Sequence, residues 1–272
     1  MPPVSSITEL VERRELLWNL TLREMRGRYK RTALGWAWSL LNPLSTMLTY
    51  TIVFSVILGG QPPIGNPSHL NTFALYLMCG LLPWNFFAIS CGNGLQAVLG
   101  NAGLVRKVAF PREHLVIATV LAGLLTNFIE LTVLGIVLVF FGNVVVVWIP
   151  MMLIAATLIG VFATGLGLML SALNVYFRDT GYLWAIVTQI WFFLTPIVYP
   201  DSLLKQKVPH WLYIILSRQP MAVAVQVMRN LMYDLRAPTI AQWGYLVVWA
   251  AISLTAGLVV FRRLEPRFAE EL

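Results

Sequence analysis

Long apolar stretches without charge alternate with short charged islands along the chain. Residues 32–105 contain no Asp, Glu, Lys or Arg, and residues 114–177 contain only Glu130. Residues 180–200 and 237–261 are also free of charge. A helix needs about 20 apolar residues to cross a hydrocarbon core of about 30 Å, so these stretches hold two, two, one and one spans. The pattern predicts an all-α integral membrane protein with six transmembrane helices.

Helix breakers and polar clusters set the predicted ends of the spans. The six spans are predicted to cover residues 36–58, 72–99, 115–140, 147–173, 182–199 and 243–261. Residues 59–67 are rich in Gly and Pro and predict a loop. Pro83 predicts a kink or local break in the second span, because proline removes a helical hydrogen bond.

Two further segments are apolar but not suited to span. Residues 7–31 interleave apolar and charged positions, which predicts an amphipathic helix lying in the membrane interface. Residues 201–238 contain short apolar runs at 211–216 and 221–235, broken at 218–220. Helices of these lengths are too short to cross, so they are expected to re-enter the membrane or lie on its surface. An ordinary surface loop with one short helix is the other interpretation.

Composition agrees with a membrane protein and excludes several classes. Apolar residues make up 58% of the 272 residues and charged residues 11%, with a net charge of +7, whereas soluble domains carry about 25% charged residues. The basic residues lie in islands and not along one face, which disfavours nucleic-acid binding. With the N-terminus inside, 14 of the 19 Lys and Arg residues are cytoplasmic. Both termini are therefore expected in the cytoplasm, and residues 1–272 are expected to form one permease domain.

Residues typical of catalysis are sparse. The three histidines lie in three different loops, the two cysteines form no disulfide framework or metal-ligand set, and no phosphate-binding loop motif is present. We therefore expect no enzymatic activity, no metal site and no cofactor in this chain. Glu130 is the only ionisable residue inside a predicted span. It either serves a functional role, neutral or paired with a basic group, or hydrogen-bonds a neighbouring span structurally.

Five motifs occur in order along the chain. They are LWNLTLREMRGRYKRTALGWAW at 17–38 followed by LNP at 41–43, GLLPWNFF at 80–87, KVAFP at 107–111, LNVYFRD at 173–179 and FLTPIVY at 193–199. Over residues 15–262 the sequence resembles the membrane subunits of ATP-binding-cassette polysaccharide exporters, which move O-antigen, teichoic acid, capsule or cell-wall galactan. Arg218-Gln219-Pro220 departs from the Asn-Pro pair that is common in relatives.

The resemblance implies a half-transporter in the bacterial cytoplasmic membrane. Two copies would form the pore, and two cytosolic ATPase subunits, which bind ATP and Mg, would drive it. The substrate would be a glycan linked to an undecaprenyl or decaprenyl lipid. An exporter of drugs or small lipids with the same plan is the first alternative, and an ATPase-independent channel is the second.

The resemblance also assigns candidate site residues. Residues 100–114 would be the coupling helix, docked on the ATPase through Arg106, Lys107, Phe110, Pro111, Arg112 and Glu113. These charges also fit a role in setting topology alone. Anionic lipid carriers would be received inside by Arg23, Arg26, Arg28, Lys30 and Arg31, and met outside by the gate residues Arg218, Pro220 and Arg229. Attraction to anionic lipid surfaces explains the same arginines equally well.

Aromatic residues in spans one, two and five form the candidate substrate channel. Their rings can stack on the flat C–H faces of sugars without demanding one fixed set of hydrogen bonds. The candidates are Trp36, Trp38, Tyr50, Phe54, Trp84, Phe86, Phe87, Trp191, Phe192, Phe193 and Tyr199. Aromatic rings are also common at membrane interfaces and on lipid-facing surfaces, which is the alternative interpretation.

Overall fold

The computed structural model describes residues 14–29, 35, 37–57, 59, 62–108 and 110–271. Every regular element within these ranges is helical. The α-helices are α1 (Arg14–Tyr29), α2 (Ala37–Tyr50), α3 (Phe73–Ala97), α4 (Ala102–Lys107), α5 (Glu113–Phe140), α6 (Ile149–Tyr176), α7 (Thr180–Leu194), α8 (Asp201–Lys207), α9 (His210–Ser217), α10 (Pro220–Arg229), α11 (Ile240–Leu264) and α12 (Phe268–Glu271). Turns of π-helix continue α2 over Thr51–Ile57 and α10 over Asn230–Asp234.

Four helices in the described part of the chain are long and apolar enough to cross a membrane: α3, α5, α6 and α11. Their positions match the predicted spans two, three, four and six to within a few residues. The helices at predicted spans one and five are shorter. The 15 residues of α7 extend only about 22 Å at 1.5 Å per residue, because the helix ends at Leu194 and not at Tyr199.

Two local predictions need correction. Helix α3 runs through Pro83 without interruption, so of the kink or local break predicted there, the break is absent. The segment between spans five and six holds three short helices, α8 to α10, and the first of them was not predicted from the apolar runs. The predicted interruption at residues 218–220 is confirmed, since α9 ends at Ser217 and α10 begins at Pro220.

Helix α6 lies at the centre of the bundle and packs most extensively against α11 and α3. Small residues allow these close approaches. A Cβ atom at Gly165 of α6 would lie 2.2 Å from the Ser253 carbonyl carbon of α11, and one at Gly94 of α3 would lie 3.2 Å from the Gly167 Cα atom. The Ser253 hydroxyl also donates to the Phe162 carbonyl oxygen at 2.8 Å. Van der Waals contact between small residues is the usual basis of helix association in membranes.

Helix α1 packs against α5 and contributes to a separate buried cluster at the end of the bundle where α5 begins and α11 ends. This lower cluster contains Leu20, Ala97, Leu115, Phe261 and Phe268 among its members. Of the segment 7–31 predicted as an amphipathic interface helix, residues 14–29 form a helix that buries Leu20 and Thr21 while Trp18 stays exposed.

Candidate functional site

An array of aromatic rings connects α2, α3 and α7. Trp84 of α3 lies edge-to-face against Phe192 and Trp191 of α7, with centroid distances of 5.7 and 6.1 Å. Tyr50 stacks on Phe192 at 6.1 Å, and Trp184 lies 6.5 Å from Trp191. Aromatic pairs at such distances and angles contribute attraction beyond their buried area.

A groove of 420 Å³ runs between α3 and α7 beside this array. Its walls carry three aromatic rings, from Trp84, Trp184 and Phe192, and two exposed amides, from Gln96 and Gln189. Positions 181, 185, 188 and 192 of α7 all line it because residues three and four apart share one face of a helix. A lining of rings with a few polar groups is typical of small-molecule sites.

Sequence reasoning missed Trp184, Gln96 and Gln189 as groove residues. The signal for Trp184 was present, because Trp184, Thr188 and Trp191 follow the i, i+4, i+7 spacing of one helix face. Gln96 and Gln189 were detectable as amides within apolar helices. Nothing in the sequence alone showed that these two amides line the same groove.

The predicted channel aromatics separate into groups in the structure. One group belongs to the aromatic array or its margin through ring contacts. It consists of Trp84, Phe192, Tyr50, Phe54, Trp191 and Phe193. Trp38 is exposed, and Tyr199 lies half-buried in the turn after α7. Trp36 lies outside the described residues.

Phe86 and Phe87, also predicted as channel residues, are both buried in the protomer. Phe87 has no exposed surface and stacks on Phe162 of α6 at 5.5 Å. The Phe86 ring is buried close to Gly160 of α6. Both side chains therefore pack against α6, and the Phe87 ring also contacts Trp191 of α7 at 5.2 Å. An aromatic ring on an apolar helix gains most by burial against a neighbouring helix.

The predicted coupling segment divides into an exposed part and an anchored part. Arg106 and Lys107 at the end of α4 are exposed, while Val105 beside them is buried in the lower cluster. Phe110 and Pro111 are half-buried in the link to α5. The short helix covers only residues 102–107 of the predicted 100–114.

Arg112 and Glu113, predicted as docking residues, contact the end of α11 and the residues after it, Glu113 from a buried position and Arg112 from a half-buried one. Glu113 is 1% exposed, and its Oε1 atom lies 3.7 Å from Nη2 of Arg262 in α11. Nη1 of Arg112 donates to the Glu265 carbonyl oxygen at 2.6 Å. A buried carboxylate is tolerated only where a cation or hydrogen-bond donors stabilise it, so these side chains bind the protein itself.

Arg229, predicted as an outer-gate residue, is almost fully buried. Its guanidinium is buried and donates to the carbonyl oxygens of Pro196 and Ile197 in the turn after α7. The Tyr76 ring of α3 lies 3.8 Å from its Cζ atom. Gly80 makes room for the cation, because a Cβ atom there would lie 2.8 Å from Nη2. The side chain joins α3, the turn and α10.

Residues 218–220, between α9 and the first turn of α10, are more exposed than Arg229. Arg218 is exposed and Pro220 half-buried at the start of α10. Gln219 between them donates to the Leu194 carbonyl oxygen at 3.0 Å and accepts from the Trp191 indole. Burial raises the pKa of Asp234, a shift that the hydrogen bond from the Asn66 amide and the nearby Arg229 oppose.

The basic residues predicted to receive the lipid carrier, at 23–31, are partly described. Nη2 of Arg23 donates to Oδ1 of Asn101 at 2.8 Å and lies 3.7 Å from the Glu24 carboxylate, and Arg26 is exposed. The side chain of Arg28, and all of Lys30 and Arg31, lie outside the described residues. Glu130 is half-buried in α5.

Comparison with known proteins gives the class to which this architecture belongs. Residues 15–233 match the ABC-2 type transporter family. The chain is 29% identical to the O-antigen export system permease protein RfbA of Myxococcus xanthus, over 98% of each chain. It is 28% identical to the protein of the same name from Klebsiella pneumoniae, over 95% of each chain. It is 23% identical to the capsule polysaccharide export inner-membrane protein CtrC of Neisseria meningitidis, over 95% of this chain and 94% of CtrC. With most of its length matched by the family, this chain is a member of the ABC-2 type transporters.

Proposed function

We propose that the chain is the permease subunit of an ATP-driven exporter that carries a lipid-linked polysaccharide across the bacterial cytoplasmic membrane. Its family and its similarity to permeases of O-antigen and capsule export support this function over export of drugs or small lipids. The chain is a permease and not an enzyme, because ATP hydrolysis in such exporters lies in a separate subunit. That ATPase would also hold ATP and Mg, so this chain needs no cofactor.

The groove between α3 and α7 is the structural feature that supports a glycan as the substrate. Trp184 and Phe192 offer partly exposed rings, while the third wall residue, Trp84, is almost fully buried. Gln96 and Gln189 offer amides that can both donate to and accept from hydroxyl groups. Stacking surfaces suit a polymer that has to slide, because they accept successive sugar rings without a fixed hydrogen-bond geometry. A purely aliphatic cleft would suit small lipids better.

Two copies of the chain would close this groove. It is open along one side of the protomer, and the adjacent surface of α7 is apolar and exposed at Leu183, Ile186 and Ile190. A homodimer with cyclic symmetry is the commonest way to cover such a face. Two ATPase subunits would dock below on Arg106 and Lys107, with the Phe110-Pro111 link behind them.

The proposed topology has six crossings with both termini in the cytoplasm. Helix α2 with its π-helical continuation covers residues 37–57 and extends about 30 Å, enough for the hydrocarbon core. Helix α7 crosses together with the turn at 195–199, and α8 to α10 form a re-entrant outer gate. Arg23 and Arg26 inside and Arg218 outside remain candidates for the diphosphate of an undecaprenyl or decaprenyl carrier.

The experiment is ATP-dependent translocation of a lipid-linked glycan in proteoliposomes that contain the chain and its ATPase subunit. The Trp184→Ala and Gln189→Leu variants are expected to slow translocation by up to about tenfold, the effect of losing a contact worth about 0.5–1.5 kcal/mol. Trp249→Ala is the control, because Trp249 is similarly half-buried but lies outside the groove. Equal slowing by all three variants contradicts the groove assignment. Transport by the chain without any ATPase supports a channel instead.

A further inference from the structure

The C-terminal end of the chain is built into the segment that precedes α5. We define the C-terminal cap as residues 265–271, which comprise the 3-10 turn Glu265–Arg267 and α12. Arg112 donates to the Glu265 carbonyl oxygen at 2.6 Å, and the Phe268 ring centroid lies 6.0 Å from the Arg112 Cζ atom. The next residue, Glu113, reaches Arg262 one turn before the cap. One dipeptide therefore contacts both the cap and the end of α11.

The cap is fixed on its other side to α6. Phe268 has no exposed surface, and its ring packs edge-to-face against Phe261 at 5.3 Å and against Tyr176 at 6.2 Å. The Tyr176 hydroxyl, at the end of α6, donates to the Leu264 carbonyl oxygen at 2.8 Å. The ends of α6 and α11 and the cap are thus held together by buried rings and a directed hydrogen bond.

The exposed charges of α4 are close to this assembly in the sequence. Arg106 and Lys107 are exposed, and only a short link separates them from Arg112. A force applied to α4 from below can reach α11 and α6 through contacts at Arg112 and Glu113. Charges that only set topology would gain nothing from burial, whereas Glu113 is almost fully buried.

We propose that Arg112 and Glu113 are positioning residues that join the ATPase-docked segment to the C-terminal cap, so that movement of α4 is transmitted to α11 and α6. This inference rests on the proposed function, because it assumes an ATPase docked at Arg106 and Lys107. It adds the cap and the end of α11 to the parts that the ATPase moves. Arg112 and Glu113 need not touch the ATPase.

The test uses the full chain in complex with its ATPase subunit. The variants are Arg112→Met, which keeps the apolar stem and removes the donor, and Glu113→Gln, which removes the charge. Arg263→Gln is the matched control, because Arg263 is an exposed arginine next to Arg262 on the same helix. Three quantities are measured: ATPase binding, glycan translocated per ATP hydrolysed, and hydrogen exchange in residues 102–107 and 265–271 with and without ATP.

In the parent protein, ATP is expected to change exchange in both α4 and the cap. In Arg112→Met, ATPase binding and the change in α4 are expected to stay within about twofold of the parent. The change in the cap is expected to disappear, and the translocation per ATP to fall about tenfold or more, as for loss of a hydrogen bond to a charged group. Arg263→Gln should behave as the parent does.

A purely structural role predicts a different result, in which the cap exchanges faster without ATP but still responds to ATP. That result, or unchanged translocation per ATP in both variants, overturns the proposal. If Arg112→Met does not fold, the reversed pair Glu113→Arg with Arg262→Glu is compared with its single variants. Recovery of transport per ATP in the pair supports the link, and additive losses overturn it.

Failure of the ATPase to bind the parent protein contradicts the proposed function instead.

Discussion

Gly257 of α11 packs directly on the Gly165 carbonyl group of α6, so closely that a Cβ atom at Gly257 would lie 2.1 Å from that oxygen. The reverse also holds, because a Cβ atom at Gly165 would meet the backbone of Ser253 one turn earlier in α11. The bundle therefore depends on backbone contact at this crossing, and each of its two helices presents a small residue there.

We expect Gly257→Ala to lower the free energy of unfolding by about 1–3 kcal/mol, the usual cost of overpacking a close contact. The control is Gly244→Ala on the same helix, where a Cβ atom would meet nothing within 4 Å. Thermal unfolding of the detergent-solubilised protein measures both. A melting temperature for Gly257→Ala equal to that of Gly244→Ala would contradict the prediction. It would show that α6 and α11 can move apart at this crossing to make room for the methyl group.

Replacing Phe87 by Ala distinguishes a core role from a channel role. Because its ring is buried between α3 and α6, we expect a loss of about 3–5 kcal/mol and low yield of folded protein. Phe193→Ala is the contrast, since Phe193 is 58% exposed at the margin of the array. Its fold should be retained. Normal yield of Phe87→Ala with slow glycan translocation would restore Phe87 as a channel residue.

The Arg229→Met variant tests whether this buried cation is a latch or a ligand for lipid diphosphate. Removing it leaves the buried carbonyls of Pro196 and Ile197 without a donor, which costs about 1–3 kcal/mol for each group. We therefore expect lower stability and faster proteolysis between residues 195 and 200. Arg218→Met, at an exposed arginine of the same segment, should change neither. Unchanged stability with weaker binding of a lipid diphosphate would support the ligand role.

Charge reversal at Arg106 and Lys107 tests the docking surface. Both side chains are exposed, so Arg106→Glu with Lys107→Glu should change the free energy of unfolding by no more than about 0.5 kcal/mol. ATP turnover by the partner subunit should become uncoupled from glycan translocation. The matched control is Arg263→Glu, at an exposed arginine near the end of α11. Normal export by the double variant would contradict docking at α4.

Much of the helical arrangement could be predicted because helix positions depend on residues that are contiguous in sequence. The gaps between charges located α3, α5, α6 and α11, and the Arg218-Gln219-Pro220 sequence located the break between α9 and α10. The early end of α7 has a local signal that the prediction overlooked, because Thr195 precedes Pro196 and the residue before a proline is pushed out of helical geometry. The unbroken passage of α3 through the buried Pro83 was not predictable in this way.

The sequence by itself determined the family, the membrane-spanning class and the approximate ends of the long helices, because hydrophobic length and charge spacing are properties of contiguous residues. Only the tertiary structure decided which face of each helix lies inside. A helix that is apolar all round carries no pattern marking its buried side. Phe87 and Trp84 are three residues apart on one such helix and both are buried, yet only Trp84 borders the groove. Arg112 and Arg229 donate to the backbone carbonyl oxygens of residues distant in sequence, Glu265 and Pro196. The spacing of residues along the chain does not predict such pairs.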